Sequence, residues 1–122
     1  MKEIWKDIKN FEGVYQISNL GRFKRIKPAS GAKVGHILKP GKHPLGYQTI
    51  ILSNHSKLKR FMVHKLVCET FNGPALGREP NHKNGIKTDN KVKNLEWVTH
   101  KENMHHARFV LKRKLWRHKK DL

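Results

Sequence analysis

The chain has 122 residues, enough for one domain or for two small modules sharing a core, and only 36% of them are apolar, so that core must be small. Lys and Arg number 27 against 9 Asp and Glu, a net charge of +18 that favours a polyanionic partner, nucleic acid being the usual one. Ribosomal and chromatin-packing proteins carry the same balance, so charge by itself says nothing about catalysis.

Lys2, Glu3 and Lys6 interrupt the N-terminus, which lacks the apolar core of a signal peptide. No stretch approaches the ~20 apolar residues that span a bilayer, and a soluble, cytoplasmic protein is expected. Residues 1–27 read as a β meander, with a strand over Val14–Ser18, a turn at Asn19-Leu20-Gly21 and a second strand over Arg22–Lys27. Alternation places Phe23 and Arg25 on one side of that strand and Arg22, Lys24 and Ile26 on the other. Residues 28–35 are loop, His36–Lys39 a brief strand and Pro40–Gly46 a turn-rich connection. Tyr47–Leu52 is the most apolar strand of the first half and belongs at the centre of a sheet. After a turn at Ser53–Ser56, Lys57–Phe61 leads into a helix marked by Val63, Leu66, Val67 and Phe71 at i, i+3, i+4 and i+8. That helix holds Cys68, a lone cysteine that rules out an internal disulfide and argues against a cysteine-rich zinc site. Asn72-Gly73-Pro74 terminates it.

Residues 81–103 concentrate the chemistry. His82 precedes an Asn84-Gly85 turn, and Leu95-Glu96-Trp97-Val98 reads as the strand that returns from it. Thr99 stands three residues before Glu102, the spacing of a capping box, so a helix starts there. Asn103, His106 and Ala107 then share one helix face, and strand end, loop and helix can bring His82, Asn94 and Asn103 together. Beyond Ala107 the helix is expected to continue, anchored by Phe109, Leu115 and Trp116, into a basic tail over 111–122.

Asn81-His82, Asn94 and Asn103 resemble the signature of the HNH nucleases, in the subtype with asparagine in place of the last histidine that is familiar from phage intron homing endonucleases. Val63-His64-Lys65-Leu66-Val67 is similar to the helix preceding that signature. Glu3–Ile8 and Tyr15–Arg22 resemble a small module often fused in front of such nucleases. The resemblance implies an α+β protein: an N-terminal antiparallel β module (1–57), a ββα-metal core (58–110) and the basic C-terminal tail (111–122). It implies metal-assisted hydrolysis of a phosphodiester in double-stranded DNA, leaving 5′-phosphate and 3′-hydroxyl ends. The core hairpin and helix would lie in the minor groove.

Such hydrolysis needs a base for water and positive charge on the phosphoryl and leaving oxygens. A neutral histidine suits the first task, and His82 is the candidate. By resemblance Asn81 and Asn103 would offer amide oxygens to one Mg2+ or Mn2+ ion, hard cations that take oxygen ligands. Asn94 would orient His82, and His106 would contact the scissile phosphate, supply an alternative metal ligand or take a plain helix-surface role. Arg22, Lys24, Arg25, Lys39, Lys59, Arg60, Lys83, Lys87 and Arg113 are candidates for DNA phosphate contacts. Asp89 and Asn90 most simply shape the loop. Many relatives have aspartate where this chain has Asn81, so the site should bind metal more weakly before DNA arrives. The alternative is a basic DNA-binding protein without catalysis. Whether one chain or a pair acts is left open.

Overall fold

The computed structural model describes residues 2–28 and 34–111, with side chains to residue 108. Its first sheet is an antiparallel meander of β1 (Trp5–Asp7), β2 (Tyr15–Ser18) and β3 (Phe23–Arg25). The turn between β2 and β3 contains Gly21, at φ +81°. Ser18 ties this corner: its hydroxyl donates to Glu3 and accepts from the amides of Leu20 and Arg22. The expected alternation holds in β3, where Phe23 is buried while Lys24 lies over the Trp5 ring.

A second antiparallel sheet has the order β4 (Gly41–Lys42), β5 (Gln48–Asn54), β6 (Lys57–Met62). β5 is central, as its apolar character predicts. His36–Lys39 is not a strand: Ile37 makes one isolated bridge to Lys24, and strand pairing with β5 starts at Gly41. Pro40 has no N–H to donate, and the turn at His43–Gly46 sets the register from its far side. β5 and β6 pair continuously from Thr49–Met62 to Asn54–Lys57 around His55 and Ser56, both at positive φ. The division expected between residues 57 and 58 therefore falls at the tip of one hairpin.

β6 runs directly into α1 (Val63–Asn72), which ends at Gly73, φ +78°. The predicted stripe is the buried one: Val63, Leu66 and Val67 are in the core with Phe71 packed against it. Cys68 is also buried, and burial raises its thiol above the ordinary range, so it stays protonated. One hydrophobic cluster joins Ile8, Phe11, Tyr15, Ile17 and Phe23 of the first sheet to Ile50, Leu52, Val63, Val67 and Leu95. The two halves thus share a core.

The last unit pairs β7 (Glu79–His82) with β8 (Leu95–Val98), and α2 (His100–His105) follows. Thr99 and Glu102 form the full capping box: the Thr99 hydroxyl accepts from the Glu102 amide at 3.1 Å, and Glu102 Oε1 accepts from the Thr99 amide at 2.9 Å. Residues 106–111 continue α2 as a π-helical turn. The basic tail, Arg113, Leu115 and Trp116 lie outside the described residues, as does the side chain of Phe109.

Candidate active site

β7 and β8 pair in the register Asn81–Glu96 and His82–Leu95, so Glu79, Asn81, Glu96 and Val98 lie on one side of the ribbon. On that side Asn81 Nδ2 donates to Glu96 Oε1 at 3.2 Å. α2 is fastened to the same strand: Asn103 Nδ2 donates to Glu79 Oε2 at 2.7 Å, and His106 Nε2 donates to the Lys83 carbonyl at 3.1 Å. These two bonds bracket Asn81. Each candidate ligand amide therefore has its nitrogen held by a carboxylate, which orients its oxygen away from that carboxylate. Glu79 also accepts from His100 Nδ1 at 2.7 Å, and its two hydrogen bonds hold its carboxyl below the usual range. Neither Glu79 nor Glu96 stands out in the sequence as part of a site; the signal was the two-residue offset of Glu79 from Asn81 and the place of Glu96 opposite Asn81 in the strand pair.

These residues suit a hard divalent cation. Asn81 is buried, its oxygen is a neutral hard donor, and the amides of Asn81 and Asn103 are each held by a carboxylate. Among the described residues no cluster of three or more His, Cys, Asp or Glu could hold a metal. The site thus fits an ion that takes most of its remaining ligands from water and substrate phosphate.

His82 is one residue on and belongs to the opposite side of the ribbon. Its ring is buried in a stack: the His64 ring lies 4.9 Å away and Tyr47 stacks on His64 at 4.8 Å, centroid to centroid. Burial pushes His82 below its ordinary pKa, with Asn90 and Asp89 acting in the other direction, so the ring is neutral at physiological pH.

The partner of that ring is Asn90, not Asn94. His82 Nε2 lies 2.8 Å from Asn90 Oδ1, while Asn90 Nδ2 donates to Gln48 Oε1 at 2.9 Å. Asn94 is buried too, but its amide is consumed within the loop: it donates to Asn84 Oδ1 and the Asp89 carbonyl and accepts from the Asn84 amide. Its contribution to His82 is indirect, by closing the loop that carries Asn90. The expected Asn94–His82 contact fails because the short helical turn over Val92–Asn94 points the Asn94 amide back across residues 84–89. His64 packs in this stack: burial pushes it down to about 4 and its Nδ1 has no partner.

The basic candidates fall into two groups. Arg22 is paired with Glu3, which it holds below the usual carboxylate range. Lys24 and Arg25 lie over Trp5 and Tyr15, and Arg25 also donates to the Tyr15 hydroxyl and the Lys27 carbonyl. Lys87 donates to the Leu45 carbonyl at 2.7 Å and covers Tyr47. Lys39, Lys59, Arg60 and Lys83 are exposed. Of the eight described candidates, Arg22, Lys24, Arg25 and Lys87 therefore already have partners within the protein, as does Lys59, which lies over the Phe61 ring.

Residues 3–53 match the family model described as the NUMOD4 motif, and residues 61–105 match the one described as HNH endonuclease. The DNA endonuclease I-HmuI of Bacillus phage SP01 is 44% identical over 102 residues, 82% of this chain and 55% of that protein. An uncharacterized HNH endonuclease, L245, of Acanthamoeba polyphaga mimivirus is 38% identical over 104 residues, 84% of this chain and 29% of that protein. A solved structure described as DNA binding and cleavage by the HNH homing endonuclease I-HmuI superposes with a TM-score of 0.74 at 39% identity, covering 84% of this chain and 56% of its own. The chain spans about half the length of the first of these relatives and less than a third of the second.

Proposed function

The chain belongs to the HNH endonuclease family, and from that premise we propose that it hydrolyses phosphodiester bonds in double-stranded DNA with His82 as general base. The observation that carries the reading is the buried, neutral His82 ring, held by the Asn90 amide and following directly in β7 on Asn81, whose amide, like that of Asn103, is held by a carboxylate. An amide oxygen can only accept, so His82 Nε2–H donates to Asn90 Oδ1 and the ring's lone pair sits on Nδ1. That nitrogen takes the proton from the attacking water. Burial keeps the ring unprotonated near neutral pH, where a base of lowered pKa is in its active form.

HNH nucleases in general depend on a divalent metal; Asn81 and Asn103 would hold Mg2+ or Mn2+ here, supplying charge neutralisation at the phosphoryl and leaving oxygens. The side chains themselves do the positioning. Glu96 and Glu79 fix the two amides, His106 holds α2 against the strand end, and Asn94 closes the loop. The exposed bases Lys39, Lys59, Arg60 and Lys83 supply phosphate contacts, with Arg22, Lys24, Arg25 and Lys87 as further candidates that already have partners within the protein. One such site cuts one strand, so a single chain nicks and a pair of chains is needed for a double-strand break. Among the described residues no helix is long and apolar enough to cross a membrane. We place the protein in the cytoplasm with its DNA.

Supercoiled plasmid incubated with Mg2+ or Mn2+ should be nicked, and chelator should stop the reaction. His82→Ala should lower the rate at least ~100-fold while leaving DNA binding within about twofold, since it removes the base and not the phosphate contacts. DNA binding without cutting under any divalent ion would instead establish the non-catalytic reading, for which the neutral Asn81 is the one favourable feature.

A further inference from the structure

The front module is the less obvious half of the molecule, and it reaches the loop between β7 and β8 at four separate places. The Asn19 carbonyl accepts from the Val92 amide at 2.9 Å. Gly21 lies so close to Asn90 that a Cβ there would stand 2.8 Å from the Asn90 carbonyl oxygen. Lys87 donates back to the Leu45 carbonyl and lies over the Tyr47 ring. Gln48 accepts from Asn90 Nδ2 at 2.9 Å. The first fastens the backbone two residues beyond Asn90, the second packs Gly21 directly against Asn90, and the last engages the Asn90 side-chain amide.

That direction matters because Asn90 is ambidextrous. With its nitrogen toward the ring it would donate to Nε2 and move the ring proton to Nδ1; with its oxygen toward the ring it fixes the proton on Nε2. In the structure Gln48 presents Oε1 to Asn90 Nδ2, which is the second arrangement. Tyr47, the residue next to Gln48, stacks on His64, which stacks on His82, so the same strand end also fixes the plane of the ring.

We infer that Gln48, acting through Asn90, is a positioning residue that sets the tautomer of His82, so that the front module forms part of the catalytic apparatus as well as any grip on DNA. The inference rests on His82 being the base, but its first readout does not depend on cutting.

The test compares Gln48→Met, which keeps the volume and removes the acceptor, with Gln48→Glu, which keeps an acceptor. In the unaltered chain, 15N-detected NMR of the His82 imidazole, recorded where the ring is neutral, should show the proton on Nε2. Gln48→Met should give a mixture of tautomers and a single-turnover cleavage rate lowered about tenfold, with DNA affinity within about twofold. Gln48→Glu should restore both tautomer and rate. A second pair acts on the other link: Asn90→Asp, which still accepts from Nε2, should retain the tautomer, and Asn90→Leu should lose it. An unchanged tautomer in Gln48→Met overturns the inference, as do equal losses in the Met and Glu variants, which would show a packing effect alone. If the tautomer responds as stated but His82→Ala still cuts DNA, the positioning link stands and the assignment of the base fails.

Discussion

Burial has moved the titration of His64 far from its ordinary range, down to about 4 from 6.5, with His82 and Lys65 adding smaller pushes in the same direction. The unfolded chain accepts a proton on this residue below about pH 6.5, whereas the folded chain resists until about pH 4. Stability from this group is therefore fully present above the unfolded value and drains away as pH falls through that window. The loss by pH 4 amounts to about 3 kcal/mol. His64→Phe keeps an aromatic ring in the stack and removes the titration, so its urea midpoint should change much less between pH 7 and pH 4.5 than that of the unaltered chain. Asn81 invites a second experiment at this scale. Replacing it by aspartate adds a charge where Glu96 and Glu79 already hold the amides, and Asn81→Asp should bind Mg2+ more tightly in calorimetry without DNA, by about tenfold. An equal affinity in the two chains would mean that residue 81 does not touch the ion.

Among the elements, α2 is the most exposed to failure. It has six residues, none of them buried, which is too short to persist on propensity alone, and it presents Asn103. Its capping box and its bonds to Glu79 and Lys83 hold it. Thr99→Ala removes one side of the box and should cost about 1 kcal/mol in chemical unfolding. The cleavage rate should fall further than that loss implies, because Asn103 loses its fixed starting point. The capping box and the stripe of α1 were legible in the sequence because each is a local pattern: a spacing of three residues, or a repeat of apolar positions. The Val14–Ser18 strand and the central place of β5 followed from local apolar character in the same way. The partner of His82 was not legible. Asn90 and Asn94 are both buried asparagines in one loop, and only the three-dimensional path of residues 84–94 shows which of them turns toward the ring. Gln48, 34 positions upstream of His82, carries no local sign of its role at all. The brief strand expected before Pro40 failed for a related reason, since pairing there depends on a turn that follows it.

For the molecule as a whole, charge is expected to dominate the proposed encounter with DNA. A net +18 over 122 residues should make binding steeply dependent on salt, with log affinity falling linearly in log salt concentration. If about six phosphates are neutralised, affinity should drop roughly a thousandfold between 50 and 200 mM salt, as read by fluorescence anisotropy. Alanine at Lys59 and Arg60 together should flatten the slope by about two, whereas alanine at Arg22 should change it little, because Glu3 already neutralises that guanidinium. The hairpin of β5 and β6 bears on how such proteins can be rearranged. Its first strand lies almost wholly in the segment matched by one family model and its second runs into the segment matched by the other, yet the two are zipped together over six residue pairs and lead straight into the helix carrying His64. Recombination that exchanged the leading segment at its apparent seam would hand the recipient half a ribbon and an imidazole with no lock. Any viable hybrid has to transplant Tyr47, Gln48 and the whole returning strand as one cassette, so inheritance should treat what look like two interchangeable parts as a single heritable unit.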